Sequence, residues 1–198
     1  MRRFYAAPES FARSLDGEEI ALSIEESKHL RDVLRLREGE KVSVFDGDGN
    51  EFSCEIESVG RGNNVGAKLK VIEKAAPNLR ESSLDLTLAI ALLKGEKFDV
   101  VVQKATEIGV KKIVPLITKR ADVKIHDAND AAKKIARWRR IALEATKQSQ
   151  RAFVPRIEMP VKFEDFLQTP NAANRILFSE RDGESLDKFA GAKFENIT

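Results

Sequence analysis

Two small groups of polar residues in this chain have the chemistry to hold a planar base or a phosphate. Gln103, Lys104 and Glu107 fall on one side of a helix-like pattern, and Gln148, Ser149 and Arg151 end a longer one. Glutamine and arginine make directed hydrogen bonds to base edges and phosphates, and the second group lies just before Pro155, which marks the start of a strand. Taken alone, the same residues suit an ordinary solvated surface, and both readings stand at this level. The surrounding charge favours a polyanion. From Lys94 to Arg156 there are 16 Lys/Arg and 7 Asp/Glu, a surplus of +9 in a chain whose net charge is +2. A near-neutral protein that gathers its cations in one block presents a face to a polyanion.

Other chemistries find little support. His29 and His126 are the two histidines and stand far apart, so no metal cluster is expected. Cys54 has no partner in the chain, which excludes a disulfide framework and fits a reducing cytoplasm. No Walker-type phosphate loop, no G-x-G-x-x-G after a strand and no Ser/His/Asp set occurs. The start, MRRFYAAPESF, lacks the apolar stretch of a secretory signal, and no run is long enough to cross a bilayer. The 198 residues, 42% hydrophobic and 33% charged, describe a soluble globular protein of one or two domains.

The elements that position these residues divide into two textures. Up to about Lys74 the pattern is mostly β, with strands expected at Glu19–Ile24, Lys41–Phe45, Glu51–Val59 and Val65–Ile72. Ser23-Ile24-Glu25-Glu26 reads as a capping box opening a short helix through His29, Leu30 and Val33. Asp46-Gly47-Asp48-Gly49-Asn50 reads as a hairpin turn, since a calcium loop needs glycine where Glu51 stands. So many short strands imply a small barrel or curled sheet over 1–74.

Residues 75–83 (AAPNLRESS) read as a linker, after which strands alternate with helices over 84–198. Leu84–Leu93 reads as a central strand covered on both faces. Phe98, Val101, Val102, Ala105 and Ile108 then repeat at helical spacing before a capping Gly109. Ile113–Ile117 is the next strand. Ala131, Ile135, Trp138, Ala142 and Ala145 make the buried stripe of a long helix, which puts Trp138 in the core. A strand near Arg156–Met159, a helix near Phe163–Leu167 and a strand Arg175–Ser179 follow. The fold class is α/β, with a parallel, doubly wound second half. The basic face of the long helix (Lys133, Lys134, Arg137, Arg139, Arg140, Lys147, Arg151) is either a solvated face or an RNA contact.

The strings RRFY (Arg2–Tyr5), HLRDVLRLREGEKVSVFDGDG (His29–Gly49), LLKGEKFDVVVQKATEIGVKKIVPLITKR (Leu92–Arg120), RWRRIALEATKQSQRAFVP (Arg137–Pro155) and ILFSERDG (Ile176–Gly183) occur in order. Together they resemble the RsmE type of SPOUT methyltransferase, bacterial enzymes that methylate N3 of a uridine in small-subunit (16S) ribosomal RNA. The resemblance implies a PUA-like β-barrel for RNA binding and a SPOUT parallel sheet threaded into a trefoil knot. It further implies S-adenosylmethionine as cofactor, no metal, a homodimer, and 16S rRNA or the 30S subunit as partner in the cytoplasm. The family's Gly-Pro-Glu-Gly-Gly loop and its later Leu-Gly and Arg-Ile-Leu-Arg segment do not occur in the sequence. The expectation is therefore a copy truncated before its cofactor loops, with an incomplete knot and pocket.

On that footing Arg120 and Arg151 are candidates to stabilise the uridine anion. Leu177, Phe178, Ser179 and Glu180, at the end of the last strand, are the candidates to border the cofactor. Arg2, Arg3, His29, Arg31, Arg35, Arg37, Lys94, Lys104 and Gln148 are the candidates to grip RNA. The alternative is a non-catalytic RNA- or ribosome-binding module.

Overall fold

The computed structural model of the chain describes all residues except 1, 15–16, 61, 63, 77–80, 122, 170–173, 180–182, 190–191 and 193. They divide into two compact units. The first comprises Met1–Glu81 and Thr146–Val154, the second Ser82–Ala145 and Pro155–Thr198. Nine residues from far along the sequence, Thr146–Val154, thus pack with the β-rich part.

In the first unit the strands are β1 (Arg2–Tyr5), β2 (Phe11–Ser14), β3 (Gly17–Ala21), β4 (Lys41–Phe45), β5 (Glu51–Ser58) and β6 (Lys68–Ala75). They form one sheet in the order β1-β4-β5-β6-β3-β2. β1 runs parallel to β4, pairing Phe4 with Val44; the other neighbours are antiparallel. Register shifts at Ser53/Cys54 and Ile56/Ser58 add the local twist that curls the sheet. Phe4, Ile20, Leu22, Leu30, Val42, Val44, Cys54, Ile56 and Leu69 fill the concave core. The expected hairpin turn is present: Gly47 and Gly49 have positive φ, and the Asp46 carboxylate accepts from the Asp48 and Asn50 amides at 2.8 and 3.0 Å.

A short helix, α1 (Ile24–Lys28), continues into a π-turn over His29–Val33, closed by Leu34 N donating to His29 O. Ser23 Oγ accepts from Glu26 N at 3.2 Å, half of the expected capping box. The other half is not made, because the Glu26 carboxylate turns instead to Lys147 and to the amide of Tyr5. β3 ends at Ala21, earlier than expected, since Leu22 and Ser23 enter this cap. β6 starts later than expected because Gly66 passes the Leu22 carbonyl so closely that a Cβ would lie 2.5 Å from it.

In the second unit, β7 (Asp85–Ala91), β8 (Lys112–Ile117), β9 (Arg156–Ile157), β10 (Val161–Lys162) and β11 (Asn196–Ile197) are all parallel to their neighbours. The order is β10-β8-β7-β11, with β9 also along β8. Of the strand expected near Arg156–Met159 only β9 forms; β10, beyond Pro160, is a second short strand that the sequence reading did not include, and the two pair opposite ends of β8. α2 (Lys97–Ile108), α3 (Ala128–Gln148) and α4 (Phe163–Gln168) are α-helices, and Leu186–Phe189 forms a short 3-10 helix. Gly109 caps α2 at φ 91°, with its amide on Thr106 O and that of Val110 on Ala105 O, the paired bonds of a Schellman end.

The stripe Ala131, Ile135, Trp138, Ala142, Ala145 is buried as expected. Trp138 stacks at 4.5 Å from Phe98 of α2 and donates Nε1–H to Asp99 at 3.1 Å. Two expectations are corrected here. Ile108 is 71% exposed rather than buried, because it occupies the last helical position before the cap. β7 is half-buried along its length rather than fully covered. Among the described residues only Asp85 and Leu86 have a partner on its β11 side.

Candidate nucleic-acid interface

The candidates of the first unit separate into exposed side chains and buried ones. Arg2, His29, Arg35 and Arg37 are exposed. His29, though exposed, makes a T-shaped contact with the buried ring of Phe4, the ring centroids 6.2 Å apart. Arg35 follows the π-turn with φ 55°, a left-handed conformation that costs a non-glycine residue about 1 kcal/mol. π-turns and such outliers concentrate at functional sites, which sets this corner apart from the rest of the unit. Arg31 behaves differently. It donates to the carbonyls of Gly60 and Gly62 at 2.9 and 3.1 Å and forks onto Asp32, tying the helix to the β5–β6 loop.

Arg3 and Arg151 are spent on each other's surroundings. Arg3 has an 11% exposed side chain, lies over the Phe45 ring at 4.1 Å, pairs with Glu51 at 3.1 Å and donates to the Arg151 carbonyl at 2.6 Å. Glu51, 4% exposed, also accepts from the Ser43 hydroxyl. Arg151 pairs with Glu81 at 2.6 Å, and the other Glu81 oxygen accepts from the Ala152 amide. Lys147 pairs with Glu26. These contacts fasten Thr146–Val154 to the sheet, with Gly49 and Val154 amides completing the seam. No local pattern announces them, since the partners are 121, 148 and 70 residues apart. Gln148 is exposed at the end of α3.

In the second unit, Lys94 and Arg120 are exposed in the turns that follow β7 and β8. These strands are adjacent and parallel, so both cations rise at the carboxyl edge of the sheet, where α/β folds place ligands. Lys104 lies on α2 and pairs with Glu107 at 2.7 Å, while Gln103 donates to the same carboxylate. The Lys104 hydrogen bond, with a smaller one from Gln103, holds Glu107 below the usual carboxylate range. These three residues, open at the sequence level to a ligand or a solvated face, thus bond to one another along the helix.

No strand forms over 175–179, contrary to expectation; one bridge, Asn174 to Ile197, remains. The bridge is parallel, so the segment leading to Leu177 and Phe178 runs in the direction of β11 and β7. Leu177 and Phe178 are 82% and 77% exposed, Ser179 is exposed, and Glu180 lies outside the described residues. Burial pushes the Cys54 thiol up to about 12, which makes it inert as a nucleophile. Among the described residues no group of three metal-ligating side chains occurs, and no helix is long and apolar enough to cross a membrane.

Comparison with known proteins gives this geometry a context. Residues 80–198 match the family described as RNA methyltransferase domain, and residues 23–63 match the RNA methyltransferase PUA domain. Ribosomal RNA small subunit methyltransferase E of Bacillus subtilis is 37% identical over 144 residues, covering 73% of this chain and 54% of the relative. The Rickettsia conorii protein of the same name is 31% identical over 169 residues, 85% of this chain and 64% of the relative. The chain therefore spans about half to two thirds of the length of these relatives.

A Neisseria gonorrhoeae ribosomal RNA small subunit methyltransferase E, solved bound to S-adenosyl methionine, superposes with a TM-score of 0.81 at 27% identity. The match covers all of this chain and 78% of that one. A Legionella pneumophila protein solved with bound SAM gives 0.82 at 30%, covering 98% and 76%. A curled β-sheet unit followed by a parallel α/β unit, matched along its length in this way, places the chain in the RsmE-type RNA methyltransferase family.

Proposed function

We propose that this chain serves S-adenosylmethionine-dependent methylation of N3 of a uridine in small-subunit ribosomal RNA, in the cytoplasm and as a homodimer. The observation that carries the reading is the superposition of the whole chain on a SAM-bound small-subunit rRNA methyltransferase. Uridine N3 lies on the Watson–Crick edge, so the target base must be unpaired or turned out of its helix. The exposed corner of Arg2, His29, Arg35 and Arg37 holds the RNA backbone. Lys94 and Arg120 face the base at the carboxyl edge of the parallel sheet.

Loss of the N3 proton leaves negative charge shared by the two carbonyl oxygens of the base. The Arg120 guanidinium is the group of this chain set to neutralise it. Arg151 has a different role: paired with Glu81, it positions Thr146–Val154. Leu177 and Phe178, whose apolar side chains are exposed, are the residues of this chain that would border the adenosine end of the cofactor. When bound, S-adenosylmethionine supplies an electrophilic methyl group.

Calorimetric titration with S-adenosylmethionine, followed by transfer of labelled methyl to 30S subunits and nucleoside mass spectrometry, tests the reading. Saturable heat and 3-methyluridine are the outcomes that support it. RNA binding with neither signal would leave a non-catalytic RNA-binding module. Arg120→Ala should lower the transfer rate by about 100-fold with little change in RNA affinity, and Arg120→Lys should recover part of it.

A further inference from the structure

The cations of α3 are not equivalent. Lys134 pairs with Asp130 at 3.2 Å, and Arg137 pairs with Asp99 and Glu96. Lys133, Arg139 and Arg140 are exposed and have no ion-pair partner among the described residues. Between them, Asn129, Ala132 and Ala136 are exposed as well, so this face carries no carboxylate from Asn129 to Arg140. The alanines keep the helix surface low, which lets a polyanion approach the axis closely. Lys133 and Arg140 are seven residues apart, about 10 Å along the helix, enough to meet more than one phosphate.

We propose that this face of α3 docks the sugar–phosphate backbone of double-helical RNA, as an anchor separate from the groups that meet the target uridine. The inference rests on the reading above that the substrate is ribosomal RNA. Duplex is favoured over single strand by what the face lacks. Unpaired bases are held by stacking on aromatic rings, and the one aromatic residue of α3, Trp138, is buried against Phe98. Unpaired lysine and arginine alone recognise phosphate, with strong salt dependence and no sequence preference.

The test uses the full chain, a short RNA duplex of arbitrary sequence and an oligouridine of equal length, with binding followed by fluorescence anisotropy across a KCl series. The triple variant Lys133→Gln, Arg139→Gln, Arg140→Gln should weaken duplex binding at least tenfold at low salt. Its log–log salt slope should flatten by about 2 to 3. The charge-keeping pair Arg139→Lys, Arg140→Lys should retain the slope, and Arg140→Gln alone should flatten it by about 1 if the triple variant misfolds. An unchanged slope, an equal loss on oligouridine, or no duplex binding by the wild type would overturn the proposal. A flattened slope in a protein that transfers no methyl group to 30S subunits leaves the anchor standing and removes the proposed reaction instead.

Discussion

The same residue types do opposite work in the two units. In the first, Arg3, Lys147 and Arg151 are turned inward and each meets a carboxylate, so their charge holds a remote segment against the sheet. In the second, Lys133, Arg139 and Arg140 are turned outward with no such partner among the described residues. A lysine or arginine count could not separate them. What separates them is desolvation: a cation taken out of water needs a specific counter-charge, and one left in water does not. Inward cations should therefore cost stability when lost, and outward ones should cost affinity.

The largest effect should come from the Arg3–Glu51 pair. Glu51→Ala leaves a guanidinium 11% exposed, with Nη1 already buried and without a hydrogen-bond partner, facing no carboxylate. Breaking such a pair from one side costs about 3–5 kcal/mol, read as a lowered urea midpoint with an unchanged slope. The double variant Arg3→Met, Glu51→Leu should lose much less, since no uncompensated charge remains. A single-variant loss no larger than the double would mean that the pair does not define the seam.

Arg151→Ala should come next. The pair with Glu81 is less buried, at 12% and 19%, and its loss should cost about 1.5–3 kcal/mol. It also separates the catalytic role expected from the sequence from the positioning role that the pair with Glu81 supports. If Arg151 only positions Thr146–Val154, catalytic loss should track the loss of folded protein and recover at lower temperature. A rate defect in fully folded protein would return Arg151 to the reacting centre.

Much of the second unit was legible because its signals are local. The apolar stripe of α3 and the glycine end of α2 are written in consecutive turns, and both elements form where expected. The hairpin at Asp46–Asn50 was legible for the same reason. β1 was not, since four residues carry no readable period and their pairing is with β4, some forty residues on. The return of Thr146–Val154 to the first unit was invisible on the same principle. Lys147 and Arg151 read as the end of a basic helix until Glu26 and Glu81 are placed beside them. For the candidate site, exposure of Arg35, Arg37, Lys94 and Arg120 agrees with what their types suggested, and the Lys104–Glu107 pair follows from helical spacing, whereas Arg31 is engaged by carbonyls some thirty residues on that no local pattern reveals.

A smaller effect of opposite sign is expected at Gln150. It ends α3 with φ 59°, its amide on Lys147 O and that of Arg151 on Thr146 O, the position where a helix favours glycine. Gln150→Gly should raise stability by about 1 kcal/mol, because the left-handed conformation is nearly free for glycine. A loss instead would show that the glutamine side chain makes a contact worth more than the strain.

The smallest effects should lie on the outward face, and their smallness is itself the point. Lys133→Ala, Arg139→Ala and Arg140→Ala each remove a solvated charge with no ion-pair partner among the described residues, so each should shift stability by no more than about 0.5 kcal/mol. Arg137→Ala, two positions from Arg139 in sequence, is the internal control. It takes a hydrogen-bonded partner from Asp99, which also receives the Trp138 ring nitrogen, and should cost more than any of the three. If all four variants melt alike, burial and pairing do not sort these cations, and the division drawn between the two units loses its physical basis.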